Sequence, residues 1–120
     1  MKPKFHPGEN IAIKVPPHQF DQTVAFYRDV LGLEQTQLAS LDPFESVTFQ
    51  FGDKNLWIDK IDSLSQAEIW LEIVTDDIEQ AADYFEDHNV VRRDEIEPLP
   101  NDFKGVWIAS PAQIIHLVRE

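Results

Sequence analysis

The most informative ten residues of the chain are Val24-Ala25-Phe26-Tyr27-Arg28-Asp29-Val30-Leu31-Gly32-Leu33. Apolar side chains recur in them at helical spacing, and Phe20 extends that spacing one turn upstream. The spacing predicts a helix over residues 20–31, with Leu31 closing its apolar face. Gly32 ends the helix, because the left-handed conformation that often follows a helix costs glycine least.

Strand patterns surround this helix. The alternating segment Ile11-Ala12-Ile13-Lys14-Val15 precedes it, and Pro16-Pro17 stops that strand. Turns are predicted at Asp42-Pro43 and at Gly52-Asp53-Lys54. Three strands are predicted after the helix, at residues 33–41, 47–51 and 56–58. The order over about residues 10–61 is therefore βαβββ.

The second half of the chain, about residues 68–119, has the same predicted order. A strand at 69–74 leads to Asp76-Asp77, whose side chains are of the type that caps a helix. The apolar stripe of that helix consists of Ile78, Ala81, Ala82 and Phe85. Three further strands are predicted at residues 90–96, 106–109 and 114–118. The chain is thus predicted to contain two βαβββ modules.

The two modules also align residue by residue. The helix that begins at Phe20 matches the helix that begins at Ile78, a separation of 58 residues. The closing strands align at a separation of 59, which sets Trp57 opposite His116. Matches of helix and closing strand at nearly one separation indicate an internal repeat.

The repeat and its motifs resemble the vicinal oxygen chelate superfamily of glyoxalases, bleomycin-resistance proteins and extradiol dioxygenases. The residues that carry the resemblance are 24–33 and the segment Val74-Thr75-Asp76-Asp77-Ile78-Glu79, and it extends over residues 10–119. It implies one α+β domain over residues 1–120, in which two βαβββ modules form curled mixed sheets around a cavity. It also implies a homodimer. The motif reports the fold alone, because the superfamily hosts isomerases, lyases, dioxygenases and non-catalytic drug binders.

Composition excludes several classes of function. The 120 residues include 22 acidic and 10 basic side chains, a formal net charge of −12. Nucleic-acid binding depends on lysine and arginine that neutralise phosphates, so this acidic balance argues against it. There is no cysteine, and no apolar run approaches the roughly 20 residues of a membrane span. We therefore expect a cytoplasmic protein without a nucleic-acid or membrane partner.

The resemblance also implies where a metal would be held. Metal-dependent relatives place histidine or glutamate on the first and last strands of each module. The corresponding positions here are Asn10, Trp57, either Ile69 or Trp70, and His116. Only His116 is a good donor among them, because divalent cations need several converging imidazole or carboxylate ligands. The sequence therefore predicts no metal at the family position and no cofactor.

Two carboxylates stand near these positions. Asp59 and Glu72 lie two residues along the same strand faces, since side chains two apart in a strand share a face. An unconventional metal site built from His116, Glu72 and Asp59 is the alternative. His116 is then the best catalytic candidate.

Tryptophan stands at positions where the metal-dependent relatives have ligands. This predicts an aromatic-lined pocket suited to a flat or cationic molecule. Lys14 is predicted to share the inward face with Asn10. The candidate ligand-binding residues are Asn10, Lys14, Trp57, Asp59, Trp70, Glu72 and His116. Such a pocket favours binding over catalysis.

Three functions remain open at this point. The leading hypothesis is a glyoxalase/bleomycin-resistance-like protein that binds a small organic molecule in a metal-free cavity. The alternative is a metal-dependent glyoxalase-type lyase or dioxygenase with atypical ligands. The third is an interaction module without a ligand, which a polar, filled cavity would favour.

Overall fold

The computed structural model describes residues 2–38 and 43–120. The chain forms two compact units. The first unit contains Glu9–Ile69, and the second contains Met1–Gly8 together with Trp70–Glu120. The predicted α+β fold with two βαβββ modules is confirmed.

The described residues of the first unit form an α-helix, which continues into a π-helical turn, and a mixed sheet. Its strands stand in the order β2-β3-β4-β1, with β1 parallel to β4 and the other pairs antiparallel. The elements are β1 (Phe5–Val15, of which Phe5–Gly8 belong to the second unit), α1 (Pro17–Ala25), a π-helical turn (Phe26–Val30), β2 (Gln35–Thr36), β3 (Ser46–Phe51) and β4 (Lys54–Lys60).

The first helix differs from its prediction at both ends. It begins at Pro17 rather than Phe20, because proline suits the first helical turn, where the missing N–H has no partner to lose. At the other end the Leu31 N–H donates to the Phe26 carbonyl, a hydrogen bond that spans five residues. This wider turn rotates Leu31 off the apolar face, and its side chain is half exposed.

The strand predicted at 33–41 is much shorter in the structure. It comprises only Gln35–Thr36 within the described residues. Residues 39–42, which include the end of that strand and Asp42 of the predicted turn, lie outside the described residues. The turn at Gly52 forms as predicted, and its φ of 64° is in the left-handed region that glycine adopts readily.

The second unit repeats the arrangement. Its strands stand in the order β5-β8-β7-β6, with β5 parallel to β8. The elements are β5 (Glu68–Thr75, whose first two residues belong to the first unit), α2 (Ile78–Asp87), β6 (Val91–Arg92), β7 (Gly105–Ala109) and β8 (Ile115–Arg119). The predicted cap is confirmed at Asp77, whose carboxylate accepts the Gln80 N–H at 3.1 Å.

The strand predicted at 90–96 is wrong beyond Arg92. The Arg93 N–H still donates to the Trp107 carbonyl, but the Ile96 N–H then donates back to the Arg93 carbonyl. That bond makes a turn and ends the pairing. Among the described residues, no helix is long and apolar enough to cross a membrane.

Each unit has its own core between helix and sheet. In the first unit the buried cluster is Val15, Phe20, Val24, Phe49, Leu56 and Ile58. In the second it is Ala81, Phe85, Val106, Ile108 and Val118. Because strand side chains alternate, each sheet has one face against its helix and one face turned away.

Candidate functional site

The face of the first sheet that is turned away from α1 carries polar side chains. On β1 the core takes Ile11, Ile13 and Val15, so Asn10 and Lys14 lie on the other face. On β4 the core takes Leu56 and Ile58, so three further polar or aromatic side chains share the face of Asn10. We call this surface the polar face, and its residues are Asn10, Lys14, Ser46, Asn55, Trp57 and Asp59.

An ion pair is buried at one end of the polar face. Lys14 Nζ lies 2.8 Å from Asp59 Oδ2, and each residue is only 3% exposed. Ser46 Oγ donates to the other carboxylate oxygen of Asp59 at 2.6 Å. The ammonium also stands 4.8 Å from the centroid of the Phe44 ring. These partners compensate for taking both charges out of water.

The other end of the polar face holds an indole ring. Asn10 Oδ1 accepts a hydrogen bond from Trp57 Nε1 at 2.8 Å and another from Asn55 Nδ2 at 3.2 Å. The Asn10 amide therefore fixes the orientation of the Trp57 ring. The structure thus brings together four of the predicted site residues: Asn10, Lys14, Trp57 and Asp59.

Two more predicted residues lie in the second unit. The Glu72 carboxylate is paired with Arg119 at 3.0 Å, and its side chain is 7% exposed. A Cβ on Gly8 would stand 2.5 Å from Glu72 Cγ, so glycine leaves the space that this carboxylate occupies. Trp70 packs edge-on against Trp107, with ring centroids 5.2 Å apart.

His116 lies on the opposite face of its sheet from Glu72. It pairs with Ile108, and Val118 two residues later is fully buried in the core. Its position therefore matches Leu56 of the first unit, which is also a core position. The counterpart of Trp57 is Leu117, one residue further along the strand than the sequence repeat places it.

The pairing of β8 with β5 also shows which residue of the strand at 69–74 corresponds to Asn10. Leu117 pairs with Glu72 as Trp57 pairs with Ala12. Trp70 stands two residues before Glu72, as Asn10 stands two before Ala12. The counterpart of Asn10 is therefore Trp70 and not Ile69, whose side chain is 51% exposed.

The residues at these positions do not fit a divalent metal. Among the described residues, no three histidine, aspartate or glutamate side chains come together as a possible ligand group. The Asp59 and Glu72 carboxylates are each engaged by a cation, Lys14 and Arg119 respectively. A metal at either carboxylate would have to displace a positively charged side chain.

Several residues that make these contacts were not predicted from the sequence. They are Gly8, Phe44, Ser46, Trp107 and Arg119. Arg119 offers one signal, an arginine directly after the strand predicted at 114–118. Without the strand register, that signal does not choose between carboxylates.

Two surface carboxylates have shifted acidities. The Arg28 guanidinium donates to both oxygens of Asp29, at 2.9 and 3.0 Å, and holds the pKa of that carboxyl below its usual value. A hydrogen bond from Arg93 lowers the pKa of the Glu95 carboxyl in the same way. Both carboxylates are exposed, so these shifts concern surface charge and not the polar face.

Solved structures share this fold at low sequence identity. A hypothetical protein of Bacillus halodurans superposes with a TM-score of 0.67 at 14% identity, over 97% of this chain and 94% of that one. Methylmalonyl-CoA epimerase of Mycobacterium tuberculosis gives a TM-score of 0.60 at 11% identity, over 95% and 87% of the two chains.

A glyoxalase/bleomycin resistance protein/dioxygenase superfamily member from Vibrio splendidus gives a TM-score of 0.59 at 14% identity, over 90% of this chain and 95% of that one. No protein-family model and no curated protein matches the chain. Identities this low speak to architecture alone. The chain has the vicinal oxygen chelate fold, as its two modules predict.

Proposed function

We propose that the chain binds a small, flat organic molecule on the polar face of its first unit, without a metal. The observation that carries the proposal is the Trp57 ring, held by Asn10 on the same sheet face as the buried Lys14–Asp59 pair. A ring fixed before binding loses little conformational entropy when a ligand stacks on it. The same ring offers a large apolar surface with a defined orientation.

The charges of the site favour a neutral ligand. The Asp59 carboxylate is already paired with Lys14, so it offers little net attraction to a cation. An anion would have to approach a chain whose formal net charge is −12. A neutral aromatic or heterocyclic molecule meets neither penalty, and its ring can stack on Trp57.

The fold by itself does not select between binding and catalysis, because similar folds carry out different chemistry. One similar structure is an epimerase, and another is placed in a superfamily that includes dioxygenases. Enzymatic activity of the metal-dependent kind would need ligands that the described residues do not supply together. The proposal retains the predicted homodimer and cytoplasmic location.

A second candidate function is an interaction module that takes no small molecule. The observation in its favour is that the polar groups of this face already satisfy one another, through Ser46 with Asp59 and Asn55 with Asn10. Such a network stabilises a defined surface without any ligand. The two candidates differ in whether any compound raises the melting temperature.

The first test is a thermal-shift screen of neutral aromatic and heterocyclic compounds on the full chain, followed by calorimetric titration of each hit. Trp57→Ala is expected to weaken binding by about 2 kcal/mol, because the stacking surface is lost. Phe51→Ala, which removes an exposed aromatic ring from the neighbouring strand, is the matched control and should leave the affinity unchanged. If Trp57→Ala and the unmodified chain bind the compounds with equal affinity, the polar face is not the binding site.

The second test concerns the metal. Mass spectrometry of the untagged chain is expected to find no stoichiometric metal, and Zn²⁺, Ni²⁺, Mn²⁺ and Fe²⁺ are expected to leave the melting temperature unchanged. A clear rise with one ion that disappears in Asp59→Asn would contradict the metal-free proposal. Lyase and dioxygenase assays with that ion would then follow.

A further inference from the structure

A pocket of about 510 Å³ opens on the helix side of the second sheet. It belongs wholly to the second unit and shares no residue with the polar face. Its walls are residues 88–91 after α2, the turn residues Ser110, Pro111 and Gln113, and the core strand residues Ile73 and Ile108. Its volume lies within the range of roughly 300–1,000 Å³ that small-molecule sites occupy.

Two histidines line this pocket in a defined hydrogen-bonding state. His88 Nδ1 lies 2.8 Å from the Tyr84 carbonyl oxygen, and His116 Nδ1 lies 3.0 Å from that of Ile114. A carbonyl only accepts, so each Nδ1 carries the proton and each Nε2 of the neutral ring is an acceptor. Among the described residues, neither Nε2 has a hydrogen-bond partner.

A costly backbone conformation occurs on the same wall. Gln113 has a φ of 67°, in the left-handed region that suits glycine, and Gly52 occupies the comparable turn of the first unit. Asn89 also has a positive φ, but the end of α2 accounts for it, since the Val90 N–H donates to the Phe85 carbonyl as in a standard helix stop. At Gln113 the turn alone would favour glycine, so the side chain is kept at a cost. Such outliers are found preferentially at ligand sites.

We propose that this pocket binds a small, mostly apolar molecule that carries a hydroxyl donor, of the phenol class. Its aliphatic walls accept the ring, and an imidazole Nε2 accepts the hydroxyl proton in a hydrogen bond. The Gln113 amide, at the rim, supplies a further polar contact. A metal is not the expected occupant, because the described residues bring no third histidine or carboxylate ligand to the two histidines.

The experiment uses two probes with the same ring, para-cresol and its methyl ether, in which a methyl group replaces the hydroxyl proton. Each is titrated into the isotope-labelled full chain in slightly alkaline buffer, and amide and imidazole nitrogen shifts are followed by NMR. Para-cresol is expected to perturb the pocket residues and to bind about three- to tenfold more tightly than the ether, the usual effect of one net hydrogen bond. Equal affinities, or no binding of para-cresol up to its solubility limit, would overturn the proposal.

Variants locate the site. His116→Leu and His88→Leu are each titrated, and at least one is expected to reduce the affinity for para-cresol to that for the ether. The matched control is His18→Leu, an exposed histidine of the first unit, which should change nothing. Val91→Trp places a large side chain at the opening of the pocket. Val91 is 55% exposed, so the fold tolerates the substitution. Both probes should then lose binding. Unchanged para-cresol binding in Val91→Trp, or in both histidine variants, would place the probe elsewhere and overturn the proposal.

Discussion

Replacing Lys14 with methionine is expected to lower the free energy of unfolding by about 3–5 kcal/mol, because it leaves the Asp59 carboxylate buried without its counter-charge. Lys14 is 3% exposed, and among the described residues the hydrogen bond from Ser46 is the contact that remains to the carboxylate. Methionine fills a similar volume, so the loss reports the charge and not a cavity. Urea unfolding followed by circular dichroism measures the change.

The control is the ion pair of Lys60 with Glu45 in the same unit. Its atoms are 3.9 Å apart and both side chains are at least one-third exposed, so Lys60→Met should cost less than about 1 kcal/mol. The double variant Lys14→Met/Asp59→Leu removes both charges and should recover most of the loss. A loss below about 1 kcal/mol for Lys14→Met would mean that water reaches Asp59 and that the polar face is open.

This outcome bears directly on the proposed function. A buried ion pair is seldom the most stable choice for a sheet face, since apolar residues of similar size often do as well or better. If the double variant folds stably but no longer binds the compounds found with the native chain, the pair serves recognition. If binding persists, the pair serves only to define the surface, and the stacking ring of Trp57 carries the affinity.

The order of elements could be predicted because long elements show a period. Strands such as β3 and β5 alternate or run apolar between turn residues, and α2 has both a cap and an apolar stripe. The edge strands β2 and β6 have two residues each, too few to show any period. The π-helical turn after α1 was also beyond prediction, because the apolar spacing of residues 20–31 fits an ordinary helix equally well.

Part of the site could be predicted from alternation alone. Asn10 and Lys14 share a face of β1, and Trp57 and Asp59 share a face of β4, whatever the neighbouring strands do. These four residues do come together. The contact of Ser46 with Asp59 depends on the register between β3 and β4, and alternation does not give that register.

The position of His116 shows the effect of a one-residue difference in strand register. The β7–β8 connection is one residue longer than the β3–β4 connection: Ile108 pairs with His116, eight positions on, whereas Phe49 pairs with Leu56, seven positions on. A shift of one residue turns every side chain of a strand to the other face. The histidine therefore lies on the helix side of its sheet, where it lines the pocket with Ile108.

Phe49→Ala is expected to cost about 3–5 kcal/mol, because the ring is fully buried between α1 and the sheet and its loss leaves a cavity. Phe51→Ala, two residues along the same strand and 45% exposed, should stay within about 0.5 kcal/mol of the native chain. The measurement is the urea midpoint at constant slope, since a changed slope would report a different unfolded or native state. Similar losses in the two variants would contradict the assignment of the core to Phe49.

The same pair of variants separates stability from binding. Phe49 faces the helix and Trp57 faces away from it, so the core and the proposed ligand surface lie on opposite sides of one sheet. Phe49→Leu keeps most of the volume and should remain folded where the alanine variant is partly unfolded. Its affinity for the compounds should equal that of the native chain, while Trp57→Ala loses affinity. If Phe49→Leu also loses affinity, the ligand is reached through the core side, and the polar face is not the site.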